Sequence, residues 1–295
     1  CFMNAMFECG GCHVIVPRFE PAAVLAAMQN EGVTEALLVP TMIQMVVDHP
    51  DIARYQLEQC RNVVYGASPI SPARLQKAIE QWGQIFYQFY GQSEAPMVLT
   101  NMRKQDHVID KPGRLSSCGR PAPWVKLALL DETNQPVAEG EAGEICVRAP
   151  LVMQGYLNKP AQTDEAFAGG WMHTGDIGRL DDEGFLYIVD RKKDMVVTGG
   201  FNVFPREVED VLSAHPAVAQ VAVIGVPDEQ WGEAVKAVVV LRPTETAGDA
   251  LTAALIDSVK TAKGSVQAPK SIDYVESIPL TAVGKPDKKA LKAQY

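Results

Sequence analysis

Apolar positions in the first ninety residues follow two alternating patterns. Between residues 21 and 30, Val24, Leu25 and Met28 recur at the spacing of one helical face. Short apolar runs bounded by turn residues flank this segment and predict buried strands. We predict strands at 14–16, 36–39, 62–65 and 85–90, and helices at 21–30, 40–47 and 72–82, the last capped by Ser71. This β-α-β order is typical of a parallel α/β sheet.

The pattern changes twice further along the chain. Apolar runs at 125–130, 144–148 and 185–189 are separated by Asp, Asn, Gly and Pro turns, which favours antiparallel β structure. Beyond Lys193 we predict helices at 207–213 and 250–261, the second capped by Asp249, and strands at 218–225, 234–241 and 271–275. We therefore place a hinge at 190–194, between a domain at 1–190 and an α+β domain at 191–295.

Composition and charge narrow the classes of function. The chain is 47% hydrophobic and 21% charged, and its net charge is −9. A general nucleic-acid or anionic-membrane binder needs a basic face, so we expect neither partner. The longest apolar stretch, 36–47, is interrupted by Pro40 and Thr41 and is too short for a membrane span. The opening residues resemble the middle of a helix, which predicts that the chain is cut from a longer one.

Six cysteines raise the question of metal or disulfide chemistry. Cys9 and Cys12 have C-x-x-C spacing and His13 follows, but the sequence has no second pair at similar spacing. We therefore expect reduced cysteines in a cytoplasmic protein.

The first candidate site is Tyr90-Gly91-Gln92-Ser93-Glu94, where a predicted strand ends. Ligands of α/β sheets bind beyond the carboxyl ends of strands. The segment offers a ring face, a hydroxyl and a carboxylate, and the carboxylate of Glu94 suits Mg²⁺. The alternative is a strand-end turn with a solvated glutamate.

Three further segments carry candidate chemistry. Asp176, in His173-Thr174-Gly175-Asp176, can accept hydrogen bonds from both hydroxyls of a ribose, or can be an ordinary turn residue; we take His173 as a packing residue. The charged run 190–194 indicates a hinge, and the pair Gly199-Gly200 permits a close approach of the backbone to a ligand or another segment. The alternative is a solvated linker with an ordinary turn. Gly284-Lys285 can present an ammonium to phosphate or carboxylate oxygens, but lacks Walker-loop spacing.

The order and spacing of these motifs resemble the adenylate-forming superfamily, most closely its free-standing acyl-CoA synthetases. The segments that carry the resemblance are 90–94, Gly119-Arg120-Pro121, Gly143-Glu144-Ile145, Gly155-Tyr156, 174–176, 190–193, 199–200 and 284–285. The resemblance implies the C-terminal half of a large α/β adenylation domain with an antiparallel β subdomain. A small mobile α+β domain follows it.

The resemblance also implies a role for each site residue. Glu94 would hold Mg²⁺, Tyr90 would stack on adenine, and Lys285 would contact the carboxylate and the α-phosphate. Asp176 would bind the ribose with help from Arg191. The remaining residues are implied to bind nucleotide (Gly66, Ala67, Ser68, Gly91, Gln92 and Ser93), to act as the hinge (Lys193) and to line the CoA channel (Gly199 and Gly200).

The implied reaction activates an apolar carboxylic acid with ATP and transfers the acyl group to CoA. CoA is favoured over a carrier protein, and a homodimer is left open. One departure is large: the Ser/Thr/Gly-rich phosphate loop of the family is not in these 295 residues.

Two alternatives remain at this stage. The chain can be a non-catalytic fragment that binds nucleotide or CoA. It can also be a hydrolase, because Gly91-Gln92-Ser93-Glu94-Ala95 nearly matches the G-x-S-x-G elbow, with His173 or His215 as the partner of Ser93.

Overall fold

The structure, a computed structural model, describes residues 2–281 and 286–295. Two compact units divide the chain: residues 1–174 with 178–188, and residues 175–177 with 189–295. Each unit has its own apolar core. The first is an α/β unit and the second is an α+β unit.

The first sheet of the first unit is mixed. Its strands are β1 (Glu35–Leu38), β2 (Asn62–Gly66), β3 (Phe86–Gln92), β4 (Ala95–Met102) and β5 (Arg120–Pro121), hydrogen-bonded in that order. The pairs β1–β2 and β2–β3 are parallel, whereas β3–β4 and β4–β5 are antiparallel. The helices are α1 (Phe2–Glu8), α2 (Pro21–Asn30), α3 (Pro40–Val47) and α4 (Pro72–Trp82).

Helices α2, α3 and α4 bury apolar faces against the parallel strands, around Leu25, Ile43, Leu75 and Phe86. Proline occupies the first turn of each of these helices, where its missing N–H is not needed. This core therefore supports the β2 and β3 ends that carry two of the predicted motifs.

A second sheet follows in the order β6 (Lys126–Leu130), β7 (Gly143–Arg148), β8 (Met172–Leu180) and β9 (Leu186–Arg191). Helix α5 (Pro160–Ala166) precedes β8. The division between the two units passes through β8 and β9. Side chains of β7 alternate, so Ile145 and Val147 join a core with Leu99 and Leu186, while Glu144 and Cys146 point to the other face.

The second unit is built on a sheet of order β11 (Phe201–Val203), β10 (Val196–Thr198), β13 (Gly232–Leu241) and β12 (Val218–Asp228), and β14 (Ser271–Tyr274) pairs in parallel with β13. Helices α6 (Pro205–Ser213) and α7 (Asp249–Lys263) pack on it, and α8 (Lys288–Lys292) follows residues 282–285. The long β12–β13 hairpin places Val223, Val235 and Val239 in the same core as Val208 of α6.

Several local predictions were wrong. Residues 14–16 form no strand, and Ile15 is 74% exposed, because no neighbouring strand of the described chain pairs with them. Ser71 and Gly248 occupy the cap positions of α4 and α7, but neither helix has a side-chain cap bond and Asp249 already lies inside α7. Antiparallel pairing begins at β4, before the first predicted antiparallel segment at 125–130.

The longest helix, α7, has 15 residues, and among the described residues no helix is long and apolar enough to cross a membrane.

Candidate active site

The ends of β2 and β3 bring the segment Gly66-Ala67-Ser68 beside the segment 90–94 in the first unit. Gly66 pairs with Phe89 in parallel register, and a Cβ at Gly66 would lie 2.2 Å from the Phe89 carbonyl oxygen. Because glycine has no Cβ, the end of β2 can approach β3 this closely. Ala67 and Ser68, which follow Gly66, therefore lie beside the end of β3. Ala67 adopts a left-handed φ of 66°, which is unusual for a residue with a Cβ. Both segments thus lie at the carboxyl ends of the parallel strands β2 and β3, as predicted.

Ser93 and Glu94 form a two-residue turn between β3 and β4, in which Gln92 pairs with Ala95. Ser93 is exposed and Glu94 is half-buried. Gly91 is required because a Cβ there would lie 2.8–2.9 Å from the Met97 backbone. The Ser93 hydroxyl and the Glu94 carboxylate therefore lie on a β-hairpin and not on a loop that leads to a helix.

Tyr156 orients the carboxylate of Glu94. Its hydroxyl donates a 2.9 Å hydrogen bond to Oε1, and the Met153 N–H donates to the Glu94 carbonyl at 2.7 Å. The bond to Glu94 raises the pKa of Tyr156, because the neutral phenol is the donor. The motif series alone gives Gly155-Tyr156 no role, and the hydrogen bond to Glu94 supplies one.

The donor set at Glu94 fits a hard cation. Among the described residues, Tyr156 is the side chain that donates to this carboxylate, and it uses Oε1. A half-buried carboxylate is a typical ligand for Mg²⁺, which binds through one or two carboxylates and keeps several waters.

Tyr90, expected to stack on adenine, is largely covered. It is 8% exposed and packs with Ala95 and Leu99. Only a small part of the ring therefore faces solvent.

Asp176 and Arg191 meet in the second unit, on the neighbouring strands β8 and β9. Arg191 Nε lies 2.7 Å from Asp176 Oδ1, and the Asp176 side chain is 4% exposed. The guanidinium holds the carboxylate in one orientation, and an ionised carboxylate accepts hydrogen bonds only. The pair predicted from the sequence is therefore in contact.

The predicted hinge begins at a buried carboxylate. Asp190 accepts hydrogen bonds from the backbone N–H groups of Arg191 and Arg206, at 2.7 and 2.8 Å. Burial raises the pKa of Asp190, and these bonds oppose the shift. Asp190 thereby joins the segment to the first turn of α6, whereas Lys193, two residues after Arg191, is exposed in a 3-10 turn.

Gly199 and Gly200 form the turn of the β10–β11 hairpin, with φ of 57° and 82°. Two successive positive φ values define the tight turn that such hairpins favour. A Cβ at Gly199 would lie 2.7 Å from the Trp231 ring, and Gly199 N–H donates to Trp231 O at 2.9 Å. Phe201 and Trp231 expose large apolar surfaces beside this turn.

Lys285 and Gly284 lie outside the described residues. The segments on either side of them are close together, because Leu280 and Pro286 form an antiparallel bridge and Asp287 N–H donates to Pro279 O at 2.8 Å. Lys288 binds Glu209 of α6 at 2.7 Å, which fixes the start of α8.

The hydrolase alternative was wrong in its structural context. A nucleophile elbow needs a strand-to-helix turn, whereas Ser93 lies in a hairpin between antiparallel strands. Of the two proposed partners, His173 contacts Glu144 and Cys146, and His215 accepts from Ala217 N–H.

Comparison with known proteins fits this geometry. A family model described as AMP-binding enzyme matches residues 1–157, and one described as the AMP-binding enzyme C-terminal domain matches residues 207–285. The chain therefore belongs to the AMP-binding, adenylate-forming enzyme family.

Individual relatives are similar over almost the whole chain. A medium/long-chain-fatty-acid–CoA ligase of Mycobacterium tuberculosis is 54% identical over 290 residues, covering 97% of this chain and 50% of the relative. A feruloyl-CoA synthase of Amycolatopsis is 40% identical over 280 residues, covering 94% and 55%. The structure of an amide bond synthetase from Marinactinospora thermotolerans matches with a TM-score of 0.87 and 36% identity, covering 96% and 56%. The chain thus spans about half the length of the curated relatives it matches.

Proposed function

We propose that this chain forms the part of an AMP-forming acyl-CoA ligase that holds the nucleotide and alternates between two half-reactions. The observation that carries the proposal is the Tyr156–Glu94 hydrogen bond at the β3–β4 hairpin, beside the Gly66–Ser68 turn. It gives the chain an oriented carboxylate at the edge where α/β sheets bind ligands. The names of the two CoA-ligating relatives support the same chemistry.

In the first half-reaction, a carboxylate oxygen of the acid attacks the α-phosphorus of ATP. The bond to the bridging oxygen breaks, pyrophosphate leaves, and an acyl-adenylate forms. Mg²⁺ held by Glu94 would supply charge neutralisation on the phosphates when bound. Asp176, oriented by Arg191, would accept hydrogen bonds from the two ribose hydroxyls. Lys285 would contact the carboxylate and the α-phosphate.

In the second half-reaction, the thiol of CoA loses its proton and attacks the acyl carbon. The acyl–oxygen bond breaks, AMP leaves, and a thioester remains. We propose that the second unit turns about Lys193 between the two steps, so that Gly199 and Gly200 replace Lys285 at the reacting atoms. The exposed Phe201 and Trp231 beside this turn would cover the pantetheine arm of CoA.

The acid would be apolar. The hairpin after Glu94 contributes Ala95 and Met97, and the named substrates of the two relatives are fatty acids and ferulate, which share a carboxylate on an apolar body. CoA is the proposed acceptor, and the protein is proposed to act in the cytoplasm.

Binding and turnover test the proposal separately. A non-hydrolysable acyl-sulfamoyl adenosine should bind the purified chain, and Asp176→Asn should weaken that binding at least tenfold, because one ribose acceptor is lost. Turnover should appear when the chain is joined to the part of the Mycobacterium tuberculosis relative that it does not match. Acyl-CoA formation from a panel including decanoate, palmitate and ferulate is measured by mass spectrometry.

Tyr156 offers a sharper test in the same chimera. Tyr156→Phe removes only the hydroxyl that orients Glu94, so pyrophosphate release should fall roughly ten- to hundredfold. Glu94→Gln should lower it at least as much and raise the Mg²⁺ concentration needed for half-maximal rate. Tyr187→Phe, which removes a hydroxyl bonded to Asp181, is the matched control. Unchanged pyrophosphate release in Tyr156→Phe and Glu94→Gln would refute the assignment, and binding without turnover would favour the non-catalytic fragment.

A further inference from the structure

Three metal-binding side chains converge on one face of the β6–β9 sheet, in the first unit. Glu144 and Cys146 are two residues apart on β7 and therefore point to the same side, and His173 lies on the neighbouring strand β8. One ligand atom from each lies within 4.8 Å of the other two. Glu144 and Cys146 are buried, and the side chain of His173 is 13% exposed.

The spacing of the three atoms approaches that of a tetrahedral metal site. His173 Nδ1 lies 3.4 Å from Cys146 Sγ and 3.0 Å from Glu144 Oε2. Zinc bonds of about 2.3 Å to sulfur and about 2.0–2.1 Å to nitrogen or oxygen separate neighbouring ligands by roughly 3.3–3.6 Å. The two separations from His173 Nδ1 are therefore close to tetrahedral values, and Cys146 Sγ lies within 4.8 Å of a Glu144 carboxylate oxygen.

The tautomer of His173 presents the correct nitrogen. Nε2 lies 3.1 Å from the carbonyl oxygen of Ala168. A carbonyl can only accept a hydrogen bond, so Nε2 carries the hydrogen, and Nδ1 faces the thiol and the carboxylate. Metal-bound histidines commonly donate their second N–H to a backbone carbonyl in this way, which fixes the ring.

Cys146 Sγ and Glu144 Oε2 both lie against His173 Nδ1, so a divalent ion bound among them would reach all three ligand atoms. The proton of the Cys146 thiol would leave to solvent as the sulfur binds the metal.

We propose that Glu144, Cys146 and His173 form a binding site for a borderline-soft divalent cation, Zn²⁺ above all. A sulfur, an imidazole nitrogen and a carboxylate oxygen suit zinc, whereas Mg²⁺ and Ca²⁺ prefer all-oxygen ligands. Three protein ligands leave the fourth tetrahedral position for water or another exogenous ligand. The site differs from the Mg²⁺ position proposed at Glu94, and it does not rest on the proposed function. It replaces the expectation that His173 is only a packing residue.

Cobalt spectroscopy tests the site in the 295-residue protein. The background is Cys9→Ser with Cys12→Ser, because both cysteines are exposed and Cys12 precedes His13. Co²⁺ should produce a thiolate-to-metal charge-transfer band and visible bands of tetrahedral intensity that saturate at one equivalent, and Zn²⁺ should displace it. Cys146→Ser should remove the charge-transfer band. Glu144→Gln and His173→Gln should each weaken binding at least tenfold. Cys60→Ser, which removes another buried thiol of the same unit, should leave the titration unchanged.

Thermal unfolding supplies a second measurement and guards against variants that misfold. Zn²⁺ should raise the Tm of the background protein by several degrees, because the metal binds the folded state, and it should not raise the Tm of folded Glu144→Gln. Absence of a one-equivalent cobalt band would overturn the proposal. A band that persists in Cys146→Ser would overturn it too.

Discussion

At the residue scale, His107 is a buried neutral imidazole that packs against Tyr65 and Phe86 of the first sheet. Its Nδ1 donates to the Arg103 carbonyl at 2.8 Å, and its Nε2 accepts from the Tyr65 hydroxyl at 3.0 Å. Burial lowers the pKa of His107 from 6.5 to about 4. Between pH 6.5 and about pH 4, His107 therefore binds a proton in the unfolded chain but not in the folded chain. The contribution of neutral His107 to the free energy of unfolding is full above pH 6.5 and falls as the pH drops towards 4.

We predict that this residue makes the first unit acid-labile. The difference between 6.5 and about 4 corresponds to about 3 kcal/mol, lost between about pH 6.5 and pH 4. Urea unfolding at a series of pH values measures the loss. His107→Gln, destabilised at neutral pH, should show a shallower decline than the parent, and His49→Gln should follow the parent. Parallel declines in the parent and His107→Gln would contradict the assignment.

One contact within the candidate site was predictable from the sequence. Asp176 and Arg191 were paired by resemblance alone, and the structure brings them to 2.7 Å. The role of Tyr156 was not predictable, because it lies 62 positions from Glu94 and the contact depends on how the chain after β7 returns to the hairpin. The cluster around His173 was missed for the same reason, since it joins two strands 27 positions apart.

At the element scale, Gly119 fixes the contact between β4 and β5. Its φ is +86°, and a Cβ would lie 2.0 Å from the backbone carbon and oxygen of Asn101. Both the backbone conformation and the lack of space therefore exclude a side chain. The strand pair Asn101–Arg120 begins directly after this glycine.

We predict that Gly119→Ala destabilises the first unit by about 3 kcal/mol or more, because the clash is with backbone and the conformation is strained. Gly113→Ala is the matched control: its Cβ would meet nothing within 4 Å, and its φ is not positive. Urea unfolding of both variants measures the difference. Equal stabilities would show that β4 and β5 separate at little cost.

Helices and parallel strands of the first unit followed from the sequence to within a few residues, because apolar spacing and helix-starting prolines are local signals. The hairpin of β3 and β4 did not, since the residues after Glu94 lack a strict alternation and their partner is fixed by close packing at Gly91. The apolar residues at 14–16 were read as a strand because periodicity reports hydrophobicity and not the presence of a pairing partner.

At the scale of the whole molecule, the candidate site residues divide between the two units. The Gly66–Ser68 turn and the hairpin with Glu94 belong to the first unit, and Asp176, Arg191 and the Gly199-Gly200 turn belong to the second. The chain passes between the units at 174–175, 177–178 and 188–189, and the last of these passages lies close to the predicted hinge at 190–194.

Restricting this passage should separate the two half-reactions. Lys193 lies in an exposed 3-10 turn after the buried anchor Asp190, so a change there need not disturb either core. Proline at 193 fixes φ and disfavours the helical region for the residue before it. Lys193→Pro in the chimera should therefore keep one half-reaction near its normal rate and slow the other at least a hundredfold.

Lys193→Ala provides the control, because it removes the charge but leaves the backbone free, and it should keep both half-reactions. Adenylation is measured as acid-dependent exchange of pyrophosphate into ATP, and thioester formation as consumption of pre-formed acyl-adenylate with CoA. Equal slowing of both steps in Lys193→Pro would indicate general damage to the site. Normal rates in both would place the rotation elsewhere in the chain, and the hinge assignment would then be wrong even if the ligase activity were present.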